Sequence, residues 1–139
     1  MHRSIIASVL LLGAVLASAG CGDDDTPPTT PTPPPQVSIT FDGTLTPFSA
    51  RIHDFPIQNP GTVDATLTTL TPADAVVGID LGTWNGVSCQ ITVARASASQ
   101  GDAVAATATT VARLCVRLWD PSETGLAAPV PYTITVRHF

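Results

Sequence analysis

The chain has 139 residues, with eleven acidic residues, six arginines, no lysine and a formal net charge of −5. This acidic balance argues against nucleic acid as a partner and against electrostatic attachment to anionic lipid. Apart from a leader and a linker, the chain is long enough for one domain of ordinary size and too short for two.

Residues 1–20 predict a secretory signal peptide. Arg3 gives a short positive segment, and residues 5–17 (IIASVLLLGAVLA) form an apolar run. That run has the length of a signal-peptide core and is too short to span a membrane as a helix. The sequence therefore predicts an exported protein.

The end of this leader predicts lipidation of Cys21. Residues 18–21 (SAGC) resemble a bacterial lipobox, in which the cysteine takes a diacylglyceryl group and becomes the new N-terminus. Residues 17–19 (ASA) also satisfy the small-x-small rule for ordinary cleavage before Gly20. We prefer lipidation and keep ordinary cleavage as the alternative.

Residues 21–36 predict an acidic, proline- and threonine-rich linker. Residues 23–25 are three aspartates, and residues 26–35 read TPPTTPTPPP. This composition favours extended polyproline II over packed structure. At about 3.1 Å per residue the linker would reach roughly 45 Å, which is enough to hold a domain clear of a lipid surface.

The cysteine count favours a Cys89–Cys115 disulfide. The chain has three cysteines, and a disulfide in an exported protein would leave one odd thiol unless Cys21 is lipidated. The remaining pair closes a loop of about 26 residues, which contributes roughly 3 to 4 kcal/mol. A metal site is not favoured, because no CxxC spacing or nearby histidine accompanies these cysteines.

Residues 37–139 predict an all-β domain of about eight strands. In the first strand, Val37, Ile39 and Phe41 alternate with polar residues. Strands are predicted at 37–42, 48–57, 63–68, 76–81, 88–96, 103–111, 113–118 and 130–137. Evenly spaced short strands with one apolar face are typical of an antiparallel β-sandwich of the jelly-roll kind.

The predicted orientations of Cys89 and Cys115 are inconsistent with a disulfide inside the core. Cys115 falls on the arginine-bearing face of its strand, whereas Cys89 shares a face with Ile91 and Val93. With two regular strands, the disulfide cannot lie wholly inside the core. Either Cys89 lies at the start of a twisted strand, or the Asn85-Gly86 turn (residues 85–86) holds a bulge that changes the alternation.

Several segments together resemble a known family. In chain order they are GTLTP (43–47), HDFPI (53–57), NPGTVDATLTTL (59–70), CVRLWD (115–120) and YTITV (132–136). They resemble the bacterial pre-peptidase C-terminal (PPC) domain and its relatives in short exported lipoproteins. The resemblance implies a jelly-roll-like sandwich with a role in targeting, binding or secretion. Some relatives bind calcium through acidic residues near the start of the domain; Asp42 is the only counterpart here, so the resemblance does not carry calcium binding over to this chain.

No pattern indicates catalysis or a cofactor. Outside the leader the histidines are His53 and His138, and neighbours such as His53 and Asp54 point to opposite faces of a strand. The GxSxG, HExxH and phosphate-binding glycine motifs are absent. Asp120 and Glu123 flank a turn and are interpreted as turn and surface residues. We therefore predict a protein that is not an enzyme and has no catalytic or metal-binding residues.

The candidate ligand-binding residues are Trp84, Trp119 and Arg117. Both tryptophans lie at predicted strand ends, where exposed rings stack on sugars or anchor protein partners. In the alternative, they cap the sandwich over the disulfide. Arg117 shares a predicted face with Trp119, either as part of a ligand patch or as a cation–π pair.

These patterns together predict a lipid-anchored, noncatalytic β-sandwich of the bacterial cell envelope, on the periplasmic side or at the surface. The N-terminal lipid attaches it to the membrane, and its expected partner is a polysaccharide or an envelope protein. The alternatives are a structural or assembly subunit of an envelope complex and, more remotely, a hydrolase.

Overall fold

The computed structural model describes residues 31–139, so the predicted leader, Cys21 and most of the linker lie outside the described residues. The described part contains eight strands: β1 (Val37–Leu45), β2 (Ala50–Ile57), β3 (Gly61–Leu70), β4 (Val77–Trp84), β5 (Cys89–Ala98), β6 (Ala103–Ala108), β7 (Ala112–Trp119) and β8 (Val130–His138). Within residues 31–139, no helix has the length and apolarity that crossing a membrane requires.

The strands form two antiparallel four-stranded sheets. The first sheet has the order β1-β8-β3-β6, and the second has the order β2-β7-β4-β5. Seven connections link the strands, and all except the β4–β5 hairpin pass from one sheet to the other. This is the strand order of a jelly roll, which confirms the predicted fold class.

The core lies between the two sheets and is built from alternate strand residues. In β7, Leu114, Val116 and Leu118 are buried in it, while the residues between them point away. The other inward positions follow the same period of two and include Val63, Ala65, Leu67, Val77, Ile79, Leu81, Val130, Tyr132, Ile134 and Val136. The predicted inward faces of these strands are therefore confirmed.

The two ends of the sandwich differ in which connections and chain segments lie there. Four connections meet at one end, which we call the loop tip: residues 46–49, 71–76, 99–102 and 120–129. At the other end, the base, Val37 begins β1 opposite His138 of β8. The linker therefore joins the domain at the end opposite the loop tip.

A β-bulge in β5 resolves the conflict between the cysteine faces. Val93 is opposite Leu81, but Ile91 is opposite the next residue, Gly82, so Thr92 is an extra residue. Cys89 and Ile91 consequently face outward, whereas Val93 packs against the core. The alternation changes inside β5, and not in the Asn85-Gly86 turn (residues 85–86).

The disulfide predicted between Cys89 and Cys115 is present. Their Cα atoms are 5.8 Å apart, although β4 lies between the strands that carry them. Strands two places apart in a sheet are normally about 9.5 Å apart. The start of β5 therefore crosses over β4, and it does so at Gly82, where an added Cβ would lie 2.1 Å from the Gln90 carbonyl oxygen.

Candidate functional site

The outer face of the second sheet carries two of the predicted binding residues. Arg117 and Trp119 both point away from the core, because they alternate with the core residues Val116 and Leu118 of β7. The Arg117 guanidinium carbon lies 5.6 Å from the centre of the Trp119 ring. Of the two predicted arrangements, the structure has the cation–π pair.

Beneath this pair lies a buried carboxylate, Asp80 of β4. Its side chain is 0% exposed, and Arg117 donates to it from Nε at 2.8 Å. The second oxygen of Asp80 and Nε1 of Trp119 have no hydrogen-bond partner among the described residues. Since a buried carboxylate needs its counter-ion, Arg117 is engaged within the domain and is not free to bind an external anion.

Trp119 is part of the packing of this face. Its ring lies on the backbone of Gly78, where an added Cβ would be 2.2 Å from Cε2 of the indole. Trp84 is the last residue of β4, six residues after Gly78, and pairs with Cys89 of β5. Like Trp119, it is half-buried. Six strand residues span about 20 Å, so the two tryptophans do not form one stacking surface.

The histidine of β2 belongs to the interior. The imidazole of His53 stacks on Phe41 with ring centres 4.7 Å apart, and its Nε2 lies 2.8 Å from the Tyr132 hydroxyl. Burial lowers the pKa of His53, and it raises the pKa of Tyr132. Asp54 points to the opposite face and pairs with Arg113, so the side chains of His53 and Asp54 lie on different sides of β2.

The second histidine is also a packing residue. His138 is 3% exposed and stacks on Phe55, with ring centres 5.8 Å apart. Its Nδ1 lies 3.1 Å from the carbonyl oxygen of Phe139. Within residues 31–139, no three His, Cys, Asp or Glu side chains come together as a group that could hold a metal ion.

A cleft of about 450 Å³ opens between the two sheets where their edge strands β5 and β6 face each other. Its lining consists of small hydroxyl and apolar side chains, with Thr92, Thr107 and Thr110 among the hydroxyls and Leu114 at the core side. No aromatic or charged side chain lines it. The cleft thus lacks the ring on which a sugar would stack.

The loop tip is a further organised surface, and no sequence motif marks it as a site. One carboxylate oxygen of Asp120 accepts hydrogen bonds from the backbone N–H groups of Phe48 and Leu126, each at 2.8 Å. The other accepts from Ser122 N–H at 2.9 Å. Burial acts to raise the pKa of Asp120, but these three N–H groups outweigh it and hold the pKa below its ordinary value. A single ionised side chain therefore joins two loops of the tip.

Phe48 is held in a left-handed backbone conformation by the hydrogen-bonded 46–49 turn and by Asp120. Its φ is +57°, and its side chain is 71% exposed. For a residue other than glycine, this left-handed backbone costs roughly 1 to 2 kcal/mol. The ring lies against Gly125, where an added Cβ would be 2.6 Å from Phe48 Cε2. The domain thus accepts backbone strain to present an aromatic ring to solvent.

An apolar cleft of about 320 Å³ lies at the same end of the sandwich. Leu126, which Asp120 fixes through its N–H group, lines this cleft together with Pro72, Ala75 and Val130. The only charged residue in the lining is Asp74. We call Phe48, Val76 and the lining of this cleft the tip patch.

Comparisons with known proteins identify a similar fold and no family. No protein-family model matches the chain, and no curated protein matches its sequence. PliG of Aeromonas hydrophila, a periplasmic lysozyme inhibitor of g-type lysozyme, is similar in structure with a TM-score of 0.51. The two share 10% sequence identity over 71% of this chain and 83% of PliG. A protein of the disulfide-linked pili that form Bacillus endospore appendages has a TM-score of 0.37 at 15% identity, over 74% of this chain and 85% of that protein.

The likeness to PliG concerns the fold alone, and the likeness to the appendage protein carries no argument. The PPC-like relationship stays a prediction from the sequence. What these comparisons support is an all-β sandwich, in agreement with the strand order described above.

Proposed function

We propose that this protein is a lipid-anchored, noncatalytic binding module of the bacterial cell envelope and that its partner is a protein. The observation that carries the proposal is the tip patch, where a strained backbone presents the Phe48 ring to solvent. Strain of this kind persists only where the surrounding structure enforces it, and here the hydrogen-bonded 46–49 turn and Asp120 do so together. Exposed aromatic residues on pre-organised loops are anchors in protein interfaces.

The export part of the proposal rests on the leader and the disulfide. A disulfide between Cys89 and Cys115 is stable in an oxidising compartment, which an exported protein reaches. Lipidation of Cys21 would supply the membrane attachment that the acidic domain does not provide by charge.

A protein partner is better supported than a polysaccharide. Trp84 and Trp119 lie about 20 Å apart along one sheet, and Trp119 packs on the domain's own backbone. Arg117 is likewise bound to Asp80. Trp119 and Arg117 are thus engaged inside the domain, whereas Phe48 is 71% exposed.

An assembly subunit is the second candidate, and one observation favours it. β5 and β6 are edge strands, and the cleft of about 450 Å³ between them leaves their edges uncovered. An uncovered edge can accept a strand from another chain. This alternative predicts self-association of the purified domain, whereas the preferred function predicts a monomer that captures a different protein.

The anchor is tested with Cys21→Ala in the full-length chain. The parent protein should incorporate labelled palmitate and require detergent for extraction, and Cys21→Ala should appear in the soluble fraction without label. Because the chain has no lysine, partner capture is done with photoactivated side chains and not with amine-reactive cross-linkers. A parent protein that takes up no palmitate and is soluble without detergent would refute the lipid anchor.

A further inference from the structure

The loop tip combines an exposed aromatic ring with a single sign of charge. Its four connections contain four carboxylates, at Asp74, Asp102, Asp120 and Glu123, and no arginine or lysine. Asp102 is paired with Arg95 of β5. Among the described residues, Asp74 and Glu123 form no salt bridge. The apolar tip patch is therefore bordered by acidic side chains that are free to meet a partner's charges.

The tip patch is arranged before any partner binds. Asp120 fixes the N–H groups of Phe48, Ser122 and Leu126 at once, so residues from two loops hold their relative positions. The Asp120 N–H group also donates to the Ser49 carbonyl at 3.1 Å. Binding would consequently require little further ordering of these loops, which favours affinity.

A lipid surface does not fit this end of the domain. Asp74 lines the apolar cleft itself, and both Asp74 and Glu123 would be repelled by anionic lipid or lose hydration on insertion. The chain also enters the domain at Val37, at the base. The tip patch lies at the other end, about 27 Å away along the nine residues of β1.

We infer that the loop tip is a docking site for a cationic protein that takes the Phe48 ring into an apolar pocket and meets Asp74 and Glu123 with basic side chains. This inference rests on the proposed function, since it names the chemistry of the protein that the module binds. Acidic residues around an apolar centre raise the rate of encounter with a basic partner and exclude acidic ones. The aromatic ring at the centre supplies most of the affinity.

The first experiment places benzoylphenylalanine at single positions of the full-length, lipidated protein in envelopes of the source bacterium. Position 48 probes the tip patch, position 91 probes the outer face of the second sheet, and position 107 probes the cleft at the edge strands. We expect a protein adduct from position 48 whose partner binds a cation-exchange resin at pH 7. Adducts only from position 91 or 107 would overturn the tip inference and leave a protein-binding function standing.

Two other results of this experiment are decisive. No protein adduct from any of the three positions would refute both the proposed function and the tip inference. An adduct from position 48 to an acidic protein would refute the tip inference alone. So would an adduct from position 48 to lipid or glycan when position 91 or 107 gives a protein adduct.

The second experiment uses the captured partner in purified form. Phe48→Gly should weaken its Kd by about 30-fold, the effect of losing an interface anchor. The double substitution Asp74→Asn with Glu123→Gln should slow association about tenfold at low salt and less at high salt. Val111→Ala is the matched control, because Val111 is 63% exposed at the base, and it should leave the Kd unchanged.

Folding is measured beside each Kd. Phe48→Gly keeps the left-handed backbone accessible, so a lost interaction in a folded variant reports the ring itself. An unchanged Kd for Phe48→Gly would refute the anchoring role. An unchanged association rate for the doubly neutralised variant would refute the cationic chemistry of the partner.

Discussion

Gly82→Ala tests how the disulfide holds β5 over β4. The new Cβ would lie 2.1 Å from the Gln90 carbonyl oxygen and 2.9 Å from the Ile91 Cα atom, whereas ordinary contacts begin at 3.4 Å. Both are backbone atoms, so a side-chain rotation cannot relieve the clash. The start of β5 must move outward by more than 1 Å, and the Cys89–Cys115 bridge opposes this movement.

The expected magnitudes follow from these contacts. Overpacking against backbone costs about 1 to 3 kcal/mol, and we expect the upper part of this range while the bridge is intact. The bridge closes a loop of 26 residues, for which the chain-entropy estimate is about 3.5 kcal/mol. Without it β5 can move, so Gly82→Ala should cost only about 1 kcal/mol in a Cys89→Ala/Cys115→Ala background. The two perturbations should therefore couple by about 2 kcal/mol.

The assay is urea unfolding of the four proteins of this double-mutant cycle. Gly86→Ala is the control, because its added Cβ meets nothing within 4 Å and its φ is +96°. It should cost about 1 kcal/mol in both backgrounds, from the left-handed conformation alone. Equal costs of Gly82→Ala with and without the bridge would refute the idea that the disulfide holds β5 against Gly82.

Two further predictions concern the outer face and the loop tip. Trp119→Ala should lower the free energy of unfolding by about 2 kcal/mol, because it uncovers Gly78 and removes the ring that packs on Arg117, the partner of the buried Asp80; an unchanged urea midpoint would contradict its packing role. Asp120→Asn should destabilise the domain most above about pH 5, since the pKa of Asp120 is lowered from 3.8 on folding. Its contribution is lost as pH falls through that lowered pKa, so the difference in unfolding free energy between parent and variant should shrink from pH 5 to pH 2. A constant difference would contradict the assignment.

The fold was predictable because the alternation of side chains is strong in the strands that form the core. Val130, Tyr132, Ile134 and Val136 alternate with polar residues, and all four face the core. At the strand ends this signal fails. β2 begins at Ala50 and not at residue 48, since local backbone conformation at Phe48 overrides its propensity for strand.

The bulge in β5 could not be located from the alternation alone. Three consecutive residues, Ile91, Thr92 and Val93, all have high strand propensity. Nothing in their order marks Thr92 as the bulged residue. The pairing of Cys89 with Cys115 was predictable from the cysteine count, and it demanded an irregularity somewhere nearby. Gly82 also indicates that β5 is irregular here, since a glycine in a strand often marks the close approach of another backbone.

The proposed site at the loop tip differs from the tryptophans that the sequence predicts as binding residues. Composition draws attention to Trp84 and Trp119, yet exposure depends on what neighbouring strands leave uncovered, and Gly78 on another strand receives the Trp119 ring. At Phe48 the residue type gives no hint of its backbone conformation, because left-handed positions are normally occupied by glycine or asparagine. Two contacts together hold that conformation: the 46–49 turn, in which the Ser49 N–H donates to the Thr46 carbonyl oxygen at 3.2 Å, and the contact with Asp120, 72 residues away in sequence. Pro47 is a local signal for the turn, but nothing in the sequence marks the contact with Asp120 or the exposure of the ring. This is the reason to test position 48 before either tryptophan.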